Sequence, residues 1–354
     1  MRNKRFKNDS GDWCYTNSQE VTKKLLFNTE TNKPYKIGDV ILQGKFKGKV
    51  FMQYRYDRPL SMYDTDYWGM KTRVVSEKLP RDVSGFKIPT PAVISFSGGR
   101  TSAFMLKQIL NAYGGTLPED IKVCFANTGK ELPETLDFVH EVEKMWDIDI
   151  HWLELEISET PPIWRTKRVT YETASRKGEP FDELLIKSSM LPSIFRRICT
   201  IELKIKRIEQ YMQYLGFTEW YSCLGLRYDE PKRVSDSKAQ AQRYVNITPL
   251  YDEKITVWDV LEFWEKSNFD LQIPTIDGKA AAGNCDLCFL KGTKTLVNLM
   301  HEKPELADWW IEKEEIIEHN FRYNRPNYIQ LLDLSKQPPK DFLEDETFTC
   351  FCHD

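Results

Sequence analysis

Small and hydroxyl-bearing residues follow an apolar run about a quarter of the way along the chain. The run 92–96 has the side chains of a buried strand and stops at Ser97-Gly98-Gly99, after which Ser102 opens a stretch with helical apolar spacing. Glycines let a backbone approach a bulky anion, and amide N–H groups at a helix start favour negative charge. With hydroxyls from Ser97, Thr101 and Ser102, the stretch predicts a phosphate-binding turn. A tight turn without a ligand is the alternative.

The eight cysteines are the second set of reactive residues. Cys285 and Cys288 are separated by two residues behind Gly283-Asn284, a spacing typical of a metal knuckle. Cys199 stands at the start of a predicted helix, whose dipole would stabilise a thiolate. Two further cysteines stand near the end of the sequence, and four thiolates could converge on a metal. Unrelated buried or free thiols are the alternative.

Strands and helices alternate between these residues, which predicts a doubly wound, mainly parallel α/β sheet with its site at the strands' carboxyl ends. The stretches 97–102, 127–135 and 225–230 each follow a predicted strand, so such a sheet would bring them to one edge. Residues 156–198 are predicted to form an irregular lid, and the tryptophans after residue 256 are predicted to pack as core. We predict strands at 92–96, 122–126, 148–155 and 219–226, and helices at 102–113, 132–145, 201–215, 257–266, 293–300 and 305–320.

The N-terminal part differs in charge from the rest. Residues 1–90 carry 18 Lys and Arg against 10 Asp and Glu, while the remainder carries 32 against 43. Lysines interleave with aromatic residues over 36–58, as in a nucleic-acid-binding β-surface, although a capping sheet with solvated lysines would have the same pattern. We expect a small basic, aromatic β-rich module and linker over 1–90, a nucleotide-binding α/β domain over 91–255 and a helical C-terminal region over 256–354.

No apolar run in the sequence reaches membrane-spanning length, and no apolar stretch follows the basic N-terminus as in a signal peptide. We therefore expect no membrane partner and a cytoplasmic location. In a reducing compartment the cysteines would serve metal or redox chemistry rather than a disulfide framework.

Three motifs, in order, resemble those of a known family. The stretch Ser97–Ser102 resembles the S-G-G-x-x-S PP-loop of the ATP-pyrophosphatase superfamily. Asn127–Thr135 and Gly225–Glu230 resemble the N-T-G-x-x-x-P-E-T and G-[IV]-R-x-x-E segments of its phosphoadenosine phosphosulfate (PAPS) reductase branch. The resemblance covers about residues 92–290 and implies an adenine nucleotide alpha hydrolase-like fold. The nucleotide contacts that it implies are Ser97, Gly98, Gly99, Arg100, Thr101, Ser102, Asn127, Thr128, Gly129 and Arg227.

The resemblance also implies sulfur chemistry. Iron–sulfur reductases of this branch carry a Cys pair and a later C-x-x-C, and here Thr200 replaces one member of the pair. The implied ligands of a [4Fe–4S] cluster, or of zinc, are Cys199, Cys285 and Cys288, with Cys352 or Cys350 as the fourth. Reductases also place a nucleophilic Cys in a terminal E-C-G-L-H tail, which this sequence lacks. Cys350 and Cys352 are therefore candidates both for the fourth ligand and for the nucleophile. The resemblance also implies that Arg227 is a catalytic cation that neutralises the sulfate group of the nucleotide.

Two reaction classes remain open. A PAPS-reductase-like enzyme would bind PAPS or APS and pass its sulfonyl group to a thiolate, and a thioredoxin-type dithiol would release sulfite. The alternative is ATP-dependent sulfur transfer to nucleic acid, similar to DNA-phosphorothioation or tRNA-thiolation proteins, with a cysteine desulfurase as partner. Thr101 stands where many PP-loops have Asp, which weakens the case for a Mg–triphosphate clamp. A nucleotide-binding protein without catalysis is the third reading, and the sequence does not determine the oligomeric state.

Overall fold

The computed structural model describes residues 85–160, 162–238, 244–273 and 285–337, together with the backbone of a few short strands elsewhere. The chain divides into two compact units. One comprises Met1–Lys78 with Gln213–Thr218, and the other comprises Leu79–Met212 with Glu219–Asp354. In the first unit the described strands form two antiparallel pairs, Arg5–Lys7 with Trp13–Tyr15 and Phe27–Asn28 with Lys33–Pro34. The β-surface expected over 36–58 lies outside the described residues.

A six-stranded sheet forms the centre of the second unit. Its strand order is β6-β5-β1-β2-β3-β4, and all neighbours are parallel except β4, which runs antiparallel to β3. The expected mainly parallel α/β sheet is therefore confirmed. The strands are β1 Ala92–Ser95, β2 Ile121–Ala126, β3 Ile150–Ile157, β4 Trp164–Val169, β5 Trp220–Cys223 and β6 Tyr244–Ile247.

Helices flank the sheet and build the C-terminal region. The first two bury apolar stripes against it, and Pro133 occupies the first turn of the second, where its missing N–H costs nothing. A π-helix, Thr200–Ile205, and a 3₁₀ turn, Pro304–Leu306, interrupt the series. The α-helices are α1 Arg100–Ala112, α2 Pro133–Trp146, α3 Glu179–Ser188, α4 Lys206–Tyr214, α5 Pro231–Lys238, α6 Pro249–Asp252, α7 Val257–Glu265, α8 Thr293–Glu302, α9 Ala307–Ile317 and α10 Tyr328–Ser335. Among the described residues, no helix combines the length and apolar character needed to cross a membrane.

Strand β1 lies between β2 and β5. The strands that follow β1 in the chain are therefore added first on one side of it and later on the other. In open α/β sheets this switch point opens a crevice at the carboxyl ends of the strands. The turn after β1, the loop after β2 and the loop after β5 therefore meet at one edge. Two large apolar clusters lie among the described residues: one surrounds the sheet, and the other joins α3 to the C-terminal helices around the fully buried Trp310. Leu299 and Leu306 pack against both.

Two sequence expectations are wrong. Residues 156–198 are not irregular throughout, because they contain β4 and α3. Strand β4 is a half-exposed, polar edge strand, and its extended form comes from pairing with β3 rather than from an apolar pattern. Trp258 is 69% exposed instead of buried in the core, whereas Trp264, Trp309 and Trp310 are buried as expected.

Candidate functional site

The Gly-Gly turn joins β1 to α1 and begins the helix at Arg100, two residues earlier than expected. Gly98 has a φ of +82°, and a Cβ there would lie 2.8 Å from Thr135 Cγ2. Both the backbone angle and the space therefore require glycine. Gly99 has extended angles and serves as N-cap, so no side chain caps the first amide groups of α1. Ser97, Gly99 and Arg100 are half-exposed, so the turn keeps an open side.

The serine hydroxyls of the turn bond to one another. Ser102 is fully buried, and its hydroxyl donates to the Gly99 carbonyl at 3.0 Å. Because that donation uses its only proton, the Ser97 hydroxyl donates to Ser102 Oγ across 2.9 Å, and the Ser97 amide donates to the same oxygen at 3.2 Å. Ser102 therefore fixes the shape of the turn, and Ser97 is the partly exposed one of the two serines.

Arg100, predicted to contact nucleotide, has protein partners in this structure. Its guanidinium binds both carboxylate oxygens of Asp270 at 2.7 Å and donates to the Leu271 carbonyl at 2.6 Å. The Trp264 indole donates to the Arg100 carbonyl at 3.0 Å. A bidentate pair of this kind is short and directional. Arg100 therefore ties the segment after α7 to the start of α1, and its nucleotide contact stays a prediction.

The loop after β5 closes on the Gly-Gly turn. A Cβ on Gly225 would lie 3.2 Å from Ser102 Cα, which shows how closely the two backbones approach. Arg227 is 5% exposed and donates to Thr101 Oγ1 at 3.0 Å. Its guanidinium also pairs with Asp229 at 3.1 Å and with Glu230 at 3.5 Å. Asp229 and Glu230 already pair with this guanidinium, and Glu230 also pairs with Arg233, so the predicted pairing of Arg227 with a sulfate would compete with contacts inside the loop.

The loop after β2 turns its polar groups inward. Asn127 donates to Glu154 Oε1 at 2.7 Å and to the Ser175 carbonyl at 2.8 Å, and its own oxygen accepts from the Gly129 amide at 3.0 Å. The amide and hydroxyl of Thr128 both donate to Glu131 Oε2, at 2.9 and 2.7 Å. These bonds fix the loop, and the nucleotide roles of Asn127, Thr128 and Gly129 stay predictions.

The same loop is joined to the cysteine knuckle. Glu131 and Cys285 form an antiparallel bridge, and the Asp286 amide donates to the Lys130 carbonyl at 2.7 Å. The Lys130 ammonium pairs with the Asp286 carboxylate at 2.8 Å, and both side chains are over 90% buried. The Thr128 hydroxyl lies 3.4 Å from Cys285 Sγ. Gly98 packs on Thr135 in the first turn of α2, so the segment 127–135, which contains the loop and this turn, contacts both the Gly-Gly turn and Cys285.

The structure brings Cys199, Cys285 and Cys288 into the C-terminal core. Burial raises the pKa of Cys199 to about 12, and the nearby Cys288 thiol adds to the rise. Burial and then the Glu131 carboxylate raise the pKa of Cys285 well above its ordinary value. A helix dipole therefore does not lower the Cys199 pKa as expected, because lost hydration outweighs it. Both thiols are protonated at neutral pH, and a bound metal cation would displace their protons.

Within the part of the chain that the structure describes, no three His, Cys, Asp or Glu side chains are arranged closely enough to hold a metal. The chemistry of the donors still fits a thiophilic metal, because three thiols share one apolar core and interact electrostatically through Cys288. Arg197 and Lys204 add positive charge beside them. The predicted fourth ligand, Cys352 or Cys350, lies outside the described residues, as does the predicted terminal nucleophile.

Sequence comparison decides the family. The model of the phosphoadenosine phosphosulfate reductase domain matches residues 91–269, half of the chain. The chain belongs to the phosphoadenosine phosphosulfate (PAPS) reductase domain family. This domain begins just before β1 and ends beyond α7, so it contains the Gly-Gly turn, both neighbouring loops and Cys199. Cys285 and Cys288 lie beyond the matched PAPS reductase domain.

Relatives of this PAPS reductase domain protein include two uncharacterized proteins. A nin region protein of Escherichia phage lambda is 31% identical over 58% of this chain and 67% of its own length. A protein of Methanocaldococcus jannaschii is 26% identical over 54% of this chain, which spans only 35% of that relative. A crystal structure of phosphoadenylyl-sulfate (PAPS) reductase from Candida auris, in a phosphate complex, aligns with 17% identity and a TM-score of 0.30. That alignment covers 51% of this chain and 73% of the other.

Sequence reasoning missed several acidic partners in this PAPS reductase domain protein. Glu154 is fully buried in β3, where Asn127 and the Ser175 amide and hydroxyl all donate to it. A carboxylate between Leu153 and Leu155 in a predicted strand was the signal that could have revealed it, because a buried charge needs partners. No such signal marked Asp270, whose partner Arg100 stands 170 residues earlier in the chain.

Proposed function

We propose that this chain is a PP-loop enzyme that binds an adenine nucleotide at the 97–102 turn and carries out sulfur chemistry with cysteine ligands. The nucleotide is PAPS, APS or ATP, the last with Mg²⁺. The observation that carries the proposal is the turn itself: Gly98 and Gly99 follow the central strand at the topological switch point, and no side chain caps the helix that they begin. Backbone amides in that position bind phosphate groups.

Within this proposal, the backbone of Gly99 and the first amides of α1 hold the phosphate, and the Ser97 hydroxyl turns its proton from Ser102 to the phosphate. Ser102 keeps the turn in shape, since its oxygen accepts from the Ser97 amide. Asn127, Thr128 and Gly129 act from the adjoining loop, and Arg227 reaches the turn through its hydrogen bond to Thr101. A nucleotide anion would draw Arg227 partly away from Asp229 and Glu230, because the three anions share one guanidinium.

Cys199, Cys285 and Cys288, with Cys352 or Cys350, would hold a [4Fe–4S] cluster or a zinc ion. A bound cluster would supply redox and sulfur chemistry, and zinc would supply a cross-link between the cysteine segments. The chain's own part is to keep the thiols in an apolar core and to surround them with Arg197 and Lys204. Whichever terminal thiol is not a ligand would be the nucleophile of a reductase reaction.

Nucleotide titration tests the turn. Gly99→Glu places a carboxylate and a bulky side chain where the phosphate would lie, and the extended backbone at residue 99 accepts a side chain. We expect the affinity for ATP or PAPS, measured by calorimetry, to fall at least about tenfold, the equivalent of 1.4 kcal/mol. Asn111→Glu adds the same charge to an exposed position at the other end of α1 and should leave affinity unchanged. Equal affinities for the wild type and Gly99→Glu would refute the assignment.

A second reaction class is favoured by the basic composition of residues 1–90, which suits an anionic polymer better than a small reductase substrate. In that class the chain transfers AMP from ATP to an oxygen of a nucleic acid and releases pyrophosphate. Persulfide sulfur delivered by a cysteine desulfurase then replaces that oxygen, which leaves with AMP, and a second thiol supplies the two electrons by forming a disulfide. Incubation with ATP or PAPS, each with and without nucleic acid, separates the two. Pyrophosphate formed only with nucleic acid would eliminate the reductase, and sulfite formed with a thioredoxin-type dithiol would eliminate sulfur transfer.

A further inference from the structure

The segment that follows Cys199 has an uncommon backbone. Thr200–Ile205 is a π-helix, in which hydrogen bonds reach five residues back and the turn is wider than in an α-helix. The normal α-helix α4 resumes at Lys206. A π-helical turn holds about one residue more than an α-helical turn, so the residues before it are rotated about the helix axis relative to α4. The π-helix therefore sets the direction in which Cys199 and Lys204 face.

Arg207, in the first turn of α4, holds this widened turn. Its side chain is fully buried, and its Nε donates to the Glu202 carbonyl, inside the π-helix, at 2.7 Å. Its Nη1 donates to the Arg165 carbonyl of strand β4 at 2.5 Å. A carbonyl inside a π-helix and a carbonyl on an edge strand both need a donor when they are buried. The planar guanidinium supplies both at once.

Gln210, one turn further along α4, makes a parallel link. Its Nε2 donates to the Trp164 carbonyl of β4 at 3.0 Å, and its Oε1 accepts from the Thr166 hydroxyl at 2.9 Å and from Arg207 Nη1 at 3.1 Å. Gln210 therefore ties α4 to the same edge strand and supports Arg207. A matched control is Lys206, whose ammonium pairs with the Glu202 side chain at 2.6 Å rather than with its carbonyl.

The π-helix also contacts the segment of Cys285 and Cys288 and the loop after β2. Cys199 packs against the apolar cluster that contains Cys285 and Cys288. The Lys204 ammonium lies 3.3 Å from Glu131 Oε1, and both side chains are mostly buried. If the turn narrowed to an α-helix, the side chains before Arg207 would rotate about the helix axis by about 100° for each residue removed from the turn. The contact of Cys199 with the apolar cluster and that of Lys204 with Glu131 would then be lost.

We propose that Arg207 is a positioning residue that keeps the 200–205 turn in its π form and so holds the Cys199 thiol beside Cys288. The importance of Arg207 for metal or sulfur chemistry rests on the proposed function, but its effect on the position of the Cys199 thiol does not. Arg207 acts through the backbone of Glu202.

Thiol cross-linking of the reduced, metal-free protein tests this placement. Dibromobimane links two neighbouring thiols, and peptide mass spectrometry separates the Cys199–Cys288 product from the Cys285–Cys288 product. Arg207→Met removes the Nε and Nη1 donors. Arg207→Lys keeps the positive charge, but a single ammonium cannot reach both carbonyls with the geometry of a guanidinium. We expect each variant to lower the Cys199–Cys288 yield at least about tenfold, since displacements near 1 Å have large effects on reactions between positioned groups.

The Cys285–Cys288 product is the internal standard, because both thiols belong to one knuckle in which the Cys288 amide donates to the Cys285 carbonyl at 3.3 Å. We expect its yield to be unchanged in both Arg207 variants, and both yields to be unchanged in Lys206→Met. An unchanged Cys199–Cys288 yield in Arg207→Lys would overturn the proposal, as would an equal fall of both products. If Arg207→Met does not fold, Arg207→Lys decides. A wild type that gives the Cys199–Cys288 product but binds neither iron nor zinc would refute the metal site and leave the role of Arg207 intact.

Discussion

Gly98→Ala tests the geometry of the turn most directly. The substitution has two costs, and the structure separates them. An L-residue at a φ of +82° costs about 1–2 kcal/mol. The added methyl group would also lie 2.8 Å from Thr135 Cγ2 and 3.1 Å from Val139 Cγ2, where overpacking costs about 1–3 kcal/mol. We therefore expect Gly98→Ala to lower the free energy of unfolding by about 2–5 kcal/mol.

Urea unfolding, followed by tryptophan fluorescence, measures this loss. Gly114→Ala is the matched control, because Gly114 has a similar φ of +73° and no atom within 4 Å of its would-be Cβ. It should lose only the backbone part, about 1–2 kcal/mol. Gly99→Ala, at extended angles, should lose only the N-cap preference for glycine over alanine, at most about 1 kcal/mol. A Gly98→Ala variant no less stable than Gly114→Ala would refute the packing of the turn against α2.

Three further predictions concern ion pairing, pH and metal. Asp270→Asn leaves the Arg100 guanidinium without its carboxylate, so urea unfolding should show a loss of about 1–3 kcal/mol, and an unchanged midpoint would contradict the pair. Burial lowers the pKa of His151 to about 4, so the folded state binds fewer protons than the unfolded state between pH 6.5 and 4. Stability should therefore fall as pH drops through that window, and His151→Phe should flatten the slope of melting temperature against pH; an equal slope would contradict it. Cys285→Ser should lower bound iron or zinc at least about tenfold by elemental analysis, whereas Cys124→Ala, in the sheet core, should not; equal metal in both would refute the ligand assignment.

Much of the fold around the turn could be predicted from local sequence. An apolar run, two glycines and a helical apolar pattern predict strand, turn and helix with only short-range information, and the structure confirms them at β1 and α1. Strands β2 and β3 were found for the same reason. The edge strand β4 was missed because its residues are polar and half-exposed, and its extended form depends on pairing with β3.

The candidate site could likewise be predicted only in part from the sequence. The sequence alone determined which residue types could bind a phosphate or a metal, because glycine, hydroxyl and thiol chemistry depends on the residue itself. Only the tertiary structure decided which of them already have partners: Asp270 holds Arg100, and Glu154 holds Asn127. These partners are distant in sequence, and no local pattern encodes the packing that brings an acid and a base together. The same holds for the thiols, whose pKa values are set by burial, a property of the folded core rather than of the chain.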